Sequence, residues 1–202
     1  MKDEMDILRE VGSIAAGHGS IALSEMLGRK LNLELPSLSM VSAKSVIDRM
    51  PVDQVVVSVA CNILSGLKGE IIFVLDEKSA FKLIDLCYRA HADEKKSGLF
   101  TEMGLSLIKE VGNIIISSYL GALSMLLKTV VIPSIPTLVS GSMQQVLSMA
   151  VSSYSNDTYI MLVEALFVEP EAKINGKFYL VLNSDTIKTV QDSCKKILDG
   201  LK

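Results

Sequence analysis

Apolar residues recur at helical spacing near the start of the chain and again about one hundred residues later. The first stretch predicts a long helix over about 3–30, from the spacing of Leu8, Val11, Ile14, Ala15, Ile21, Ala22 and Met26. A second long helix is predicted over about 100–128. An extended stretch that contains a proline follows each helix, at 31–41 and at 129–141. Each half of the chain therefore opens with a helix and a segment that runs back from it.

Two pairs of segments rich in β-branched residues come next. They predict strands at 53–62 and 68–76 in the first half, and at 157–168 and 176–183 in the second half. The connections are short enough for hairpins, which favours antiparallel pairing. An amphipathic helix closes each half, with Asp76 and Ser184 as the predicted N-caps.

The two halves also repeat each other in sequence. At an offset of 100 the identical pairs include Glu10/Glu110, Val11/Val111, Gly12/Gly112, Ile14/Ile114, Ser24/Ser124, Leu27/Leu127 and Leu38/Leu138. Two copies are too few for a solenoid. We expect one α+β domain over 1–202 with pseudo-two-fold symmetry, in which two repeats (about 1–95 and 100–202) pack two long helices and further helices on an antiparallel sheet. The charged segment Ala92–Ser97 is the predicted linker, and the strand order stays open.

Composition narrows the classes of protein. With 49% hydrophobic residues and a net charge of -3, the chain is neither disordered nor suited to bind nucleic acid. Three scattered cysteines and two histidines predict no metal site, and the first residues have no signal-peptide pattern, which predicts a cytoplasmic protein. The uncharged stretch Val111–Leu127 contains several glycines and serines, so we interpret it as a buried helix rather than a membrane span.

Polar residues form one stripe on each long helix. Ser106, Glu110 and Asn113 lie at i, i+4 and i+7 of the second helix, and Ser117 and Ser124 continue the stripe. The same three places in the first helix hold Asp6, Glu10 and Ser13. A solvent-exposed helix face explains such residues by itself. A matched spacing weakens this simple explanation. In both halves 22 residues separate the third stripe residue from a proline, Asn113 from Pro136 and Ser13 from Pro36.

This pattern resembles the signature of the CheC/CheX/FliY phosphatases, which act on the phosphorylated chemotaxis regulator CheY. The signature reads Asp or Ser, three residues, Glu, two residues, Asn, about 22 residues, Pro. The second half matches it in full from Ser106 to Pro136, whereas Ser13 replaces the Asn in the first half. Two motif helices in one chain of this length resemble CheC most.

The resemblance implies a hydrolase that removes the aspartyl phosphate of a CheY-like regulator. The receiver domain would carry Mg²⁺, and this chain would bind no cofactor. Asn113 would position the attacking water, since a carboxamide donates and accepts hydrogen bonds without adding negative charge. Glu110 would engage a lysine of the receiver, and Ser106 would help to dock it. We expect Pro136 and Pro36 to shape the extended segments, and Gly112 to allow close packing.

The first half departs from the signature where the chemistry is expected. The Ser13 side chain is shorter than that of Asn, so we expect Asp6, Glu10 and Ser13 to dock a partner but to hydrolyse poorly. The alternative is a module that sequesters the phosphorylated regulator without hydrolysis, or that regulates a CheD-type receptor deamidase. In both cases the expected partners are proteins, not nucleic acid or a membrane, and a monomer is one candidate assembly.

Overall fold

The computed structural model describes residues 4–48, 54–91, 101–154 and 159–199. Within these ranges the chain forms six helices and seven strands, in the order α1 (Glu4–Leu27), β1 (Asn32–Val41), α2 (Ala43–Asp48), β2 (Val55–Ser65), β3 (Gly69–Asp76), α3 (Glu77–His91), α4 (Glu102–Leu127), β4 (Ile132–Pro133), β5 (Thr137–Ser142), α5 (Met143–Ser152), β6 (Ile160–Glu169), β7 (Ile174–Leu182) and α6 (Ser184–Asp199). Both predicted long helices are present.

All seven strands join one antiparallel sheet. Its order is β1-β6-β7-β3-β2, and both β4 and β5 pair with the far side of β2. The strands that follow each long helix cross over: β1 pairs with β6 of the second half, and β5 pairs with β2 of the first half. The hairpins β2–β3 and β6–β7 meet at the centre through β3 and β7. The predicted α+β fold with pseudo-two-fold symmetry is therefore confirmed.

The two long helices pack against each other on one face of this sheet. A methyl group added at Gly19 of α1 would lie 4.0 Å from the backbone oxygen of Ile115 in α4. Towards the start of α1, Gly12 lines a small cavity together with Tyr119 and Leu123, which lie further along α4. The helices therefore run antiparallel, as a two-fold relation between the halves requires.

The opposite face of the sheet is covered by two helices that the sequence pattern did not predict, α2 and α5. Val46 of α2 and Leu147 of α5 are buried in one apolar cluster with Ile72 and Tyr179 of the sheet. With six residues, α2 is too short to show a helical period. The start of α5 does carry a signal, because Ser142 and a glutamine three residues later form a capping box.

The predicted caps of the closing helices differ in outcome. Asp76 accepts a hydrogen bond from the backbone N–H of Ser79 at 2.6 Å, so this cap is confirmed. Ser184 was the wrong residue: the cap is Asn183, whose side-chain oxygen accepts from the N–H of Thr186 at 2.9 Å. Asn and Ser are equally good caps, so the pattern alone did not separate the two positions.

The predicted boundaries are also only partly described. The predicted stretch 129–141 divides into the short β4 and the edge strand β5. The predicted linker Ala92–Ser97, and with it the boundary between the repeats, lies outside the described residues.

Among the described residues, α4 alone is long and apolar enough to cross a membrane. Half of its most apolar window is nevertheless buried inside the molecule. Val111, Ile115 and Tyr119 of this helix belong to the main core under α1 and α4. This burial is typical of a core helix, as the sequence analysis interpreted it.

Candidate functional site

The outward face of α4 presents the predicted site residues. Ser106 and Glu110 are exposed, Asn113 is half-buried, and Ser117 is exposed one turn further along. The spacing of three residues between Glu110 and Asn113 brings their side chains to the same helix surface. A partner that contacts this surface can therefore meet the carboxylate and the amide together.

Gly112 determines how closely this part of α4 packs on the sheet. A methyl group at this position would lie 2.7 Å from the side chain of Val59 in β2, which is closer than real contacts allow. The glycine lets α4 lie directly on β2, so the predicted role of Gly112 in close packing is confirmed. The side chains before and after it are consequently held at a defined distance from the core.

Asn113 lies on the flank of α4 that is turned away from α1. Successive residues are about 100° apart around a helix, so Asn113 is about a quarter turn from the inward-facing Gly112. Ile115, beside which α1 passes, lies on the opposite flank by the same count. The amide therefore faces the edge of the sheet where β5 pairs with β2.

Hydrogen bonds distinguish the two polar neighbours of this pair. The hydroxyl of Ser117 donates to Oδ1 of Asn113 over 3.4 Å, a long contact that orients the amide. A carboxamide in this position keeps two N–H hydrogens and a second oxygen lone pair for a water molecule. Ser106 instead donates to the backbone oxygen of Glu102 at 2.8 Å, one turn back in the same helix. Its hydroxyl is therefore partly committed to α4 itself.

The equivalent face of α1 is exposed but chemically different. Asp6, Glu10 and Ser13 all reach solvent. Asp6 forms an exposed ion pair with Arg9, at 3.7 Å. The residue one turn after Ser13 is Gly17, where α4 has Ser117. This face therefore keeps acidic groups but lacks the carboxamide of position 113. It also lacks the hydroxyl of position 117 that would orient a carboxamide.

Serines further along both stripes have a structural role. Ser24 accepts a hydrogen bond from the backbone N–H of Leu31 at 3.0 Å, and Ser124 donates to the backbone oxygen of Thr129 at 2.7 Å. Both bonds tie the end of a long helix to the segment that leaves it. The polar stripe predicted from spacing thus includes residues that stabilise the fold and do not belong to the site.

The two motif prolines lie at the edges of the sheet. Pro136 directly precedes β5, and Pro36 lies inside β1 where the register with β6 shifts between Glu34 and Ser37. Edge strands and bulges are where a sheet tolerates proline. Their places agree with the predicted role in shaping the extended segments.

The thiol of Cys61, buried in the core on the α4 face of the sheet, is not available as a nucleophile. Burial raises the pKa of the Cys61 thiol to about 11; nearby Glu70 acts in the same direction and Lys109 opposes it. A thiol with this pKa stays protonated at neutral pH and is a poor nucleophile. Within the described ranges, no three histidine, cysteine or acidic side chains converge as metal ligands. Of the predicted site residues on α4, Glu110 supplies a carboxylate and Asn113 a carboxamide.

Comparison with known sequences matches this part of the chain to one family. The model of the CheC-like family matches residues 103–140, the range that contains the motif from Ser106 to Pro136. Over 137 residues the chain is 34% identical to the CheY-P phosphatase CheC of Bacillus subtilis (strain 168). That alignment covers 67% of this chain and 65% of CheC, slightly less than two thirds of the relative.

Two solved structures show the same fold. The crystal structure of Thermotoga maritima FliY superposes with a TM-score of 0.76 at 24% identity, covering 97% of this chain and 98% of the other. A chain in the CheX–CheY–BeF₃–Mg²⁺ complex from Borrelia burgdorferi superposes with a TM-score of 0.54 at 20% identity, covering 87% and 97%. The architecture described above is thus shared with both proteins.

Proposed function

We propose that this chain hydrolyses the aspartyl phosphate of a CheY-like response regulator through Glu110 and Asn113, a reaction that its similarity to the CheC-like family supports. The observation that carries this proposal is the common outward surface of the two side chains on α4. Gly112 holds that surface close to the sheet. The name of the Bacillus relative, a CheY-P phosphatase, supports the same reaction.

Hydrolysis of an aspartyl phosphate requires few groups from the phosphatase. Phosphoryl transfer depends on positioning and on stabilisation of charge rather than on covalent help. In our proposal the receiver brings the phosphoryl group together with Mg²⁺, and this chain binds no cofactor. Asn113 holds a water in line with the phosphorus, and its neutral amide does not repel the phosphoryl oxygens. Glu110, exposed one turn away, pairs with a lysine of the receiver and sets its orientation.

We assign a different role to α1. Its exposed Asp6 and Glu10 present two carboxylates, where α4 has Ser106 and Glu110, which favours docking of a receiver. Without a carboxamide at position 13, a water beside this helix has no group of the right reach, so docking would not lead to hydrolysis. This half would then hold or sequester the phosphorylated regulator.

Further partners and the setting are part of the proposal. We place the protein in the cytoplasm, where the buried thiols of Cys61 and Cys87 stay reduced. A CheD-type deamidase is a second proposed partner, which co-elution with such a protein would test. Mass measurement in solution would test whether the chain acts as a monomer.

Phosphate release tests the central proposal. A CheY-like receiver, phosphorylated by a small phosphodonor, should lose phosphate faster when this protein is added. Asn113→Ala should reduce that acceleration by about a hundredfold, because the water loses its in-line position. Ser13→Ala, the matched change on α1, should leave it almost unchanged. If both variants lose equal activity, the assignment to α4 is wrong; if the wild type binds the receiver without releasing phosphate, the protein is a binding module.

A further inference from the structure

Four large apolar side chains are exposed together at one corner of the sheet. They are Leu64 at the end of β2 (63% exposed) and, on the segment between α4 and β5, Val130 (71%), Ile132 (49%) and Ile135 (83%). We call these four residues the apolar rim. Single exposed apolar residues need no explanation, but a contiguous group marks an interaction surface.

Backbone contacts hold the apolar rim together. Ile132 pairs with Ser65, the residue after Leu64. Beside Ile135, the N–H of Ser134 donates to the backbone oxygen of Asn62 at 2.7 Å. Val130 passes next to Gly66, where a methyl group would come within 2.2 Å of the Val130 oxygen. The four residues thus belong to one ordered corner.

This corner adjoins the flank of α4 that carries Asn113. Gly112 lies on Val59 of β2, and Val59 pairs with Leu138 of β5. These two contacts fix the position of β5 relative to the site on α4. Ile135 precedes Leu138 by three residues, about 10 Å along an extended chain. Since α1 packs over β1 at the other end of the sheet, the amide of Asn113 and the apolar rim face the same edge.

The first half supplies an internal comparison. At an offset of 100, the positions of Val130 and Ile132 are occupied by Lys30, which is exposed, and Asn32, which is half-buried. The same place in the fold therefore accepts polar residues. At these two positions the half with the complete motif exposes apolar side chains instead, which is consistent with a use of that surface.

We propose that the apolar rim docks the receiver domain whose phosphoryl group reaches Asn113, an inference that rests on the proposed function. A stable interface buries about 800 Å² on each partner, far more than a glutamate and an asparagine provide. Such interfaces have an apolar centre with polar groups around it. Along β2, Ser65, the partner of Ile132, lies six residues beyond Val59, on which Gly112 lies, so the rim extends to about 20 Å from the polar pair, within the span of one such interface.

The test replaces Val130 and Ile132 of the rim with the residues found at the equivalent positions of the first half. The double variant Val130→Lys, Ile132→Asn should weaken binding of a CheY-like receiver loaded with BeF₃⁻ and Mg²⁺ by about tenfold. KM for the phosphorylated receiver should rise by the same factor, while kcat changes less than about twofold. Ile135→Ser is a second variant with the same expected direction. Met149→Lys is the matched control, since Met149 is 57% exposed but lies on α5, across the sheet.

Each outcome is informative. Unchanged receiver affinity in both folded rim variants, or an equal loss in Met149→Lys, overturns the proposal. A wild-type dimer that the rim variants dissociate, with receiver affinity retained, shows that a second copy of the chain occupies the rim instead. The proposed function fails separately, if Asn113→Ala releases phosphate as fast as the wild type. Binding of the BeF₃⁻-loaded receiver still tests the rim in that case.

Discussion

The two halves of the molecule share a backbone but differ on its outer surface. Both long helices have a buried glycine at the same place, Gly12 and Gly112, and both are followed by a strand at an edge of the sheet. The outward positions differ: Ser13 and Gly17 on α1 correspond to Asn113 and Ser117 on α4. Packing is therefore conserved between the repeats where it maintains the fold, and it leaves the exposed face free to change. In the proposed function, these few surface side chains make the difference between hydrolysis at α4 and docking at α1.

The largest expected effect comes from rebuilding the second site on the first helix. In an Asn113→Ala background, Ser13→Asn together with Gly17→Ser should restore phosphate release by at least about tenfold, because an amide with a supporting hydroxyl again holds the water. Phosphate release from the phosphorylated receiver measures this. Gly17→Ser alone is the control and should restore nothing. A double change that also fails would show that the helices differ in more than these two positions.

The next effect concerns the packing of the long helices on the sheet. Gly112→Ala should lower the free energy of unfolding by about 1–3 kcal/mol, because the new methyl group meets Val59 at 2.7 Å. Urea unfolding measures the change. Gly17→Ala is the control on α1: an added methyl group there has nothing within 4 Å, so better helix propensity should stabilise the protein by about 0.5–1 kcal/mol. Changes of the same sign in both variants would contradict the close contact of α4 with β2.

The smallest effect concerns the hydroxyl beside the amide. Ser117→Gly gives α4 the residue of α1, and kcat should fall about two- to tenfold, the value of one neutral hydrogen bond. The measurement is kcat for the phosphorylated receiver. Ser118→Gly, one residue further along, costs similar helix propensity without contacting Asn113 and should leave kcat near the wild-type value. Equal losses in both variants would mean that helix stability, not the amide, is responsible.

Much of the fold followed from local patterns. The long helices, the two hairpins and the duplication are visible because periodicity and β-branched runs depend on near neighbours in the chain. The short helices α2 and α5 were missed, since six and ten residues give little periodic signal against the strands around them. The cap at Asn183 was assigned one residue too late, because adjacent Asn and Ser are equally suitable.

The sequence by itself determined the motif residues, their spacing on a helix face and the difference between Ser13 and Asn113, because one helical turn relates them. Only the tertiary structure decided which stripe residues are available. Ser24 and Ser124 bond to the segments behind their helices, while Asn113 faces the edge of the sheet. It also brought Leu64 beside Val130, Ile132 and Ile135, residues far apart in the chain. Contacts of this kind come from the pairing of distant strands, which no local pattern specifies.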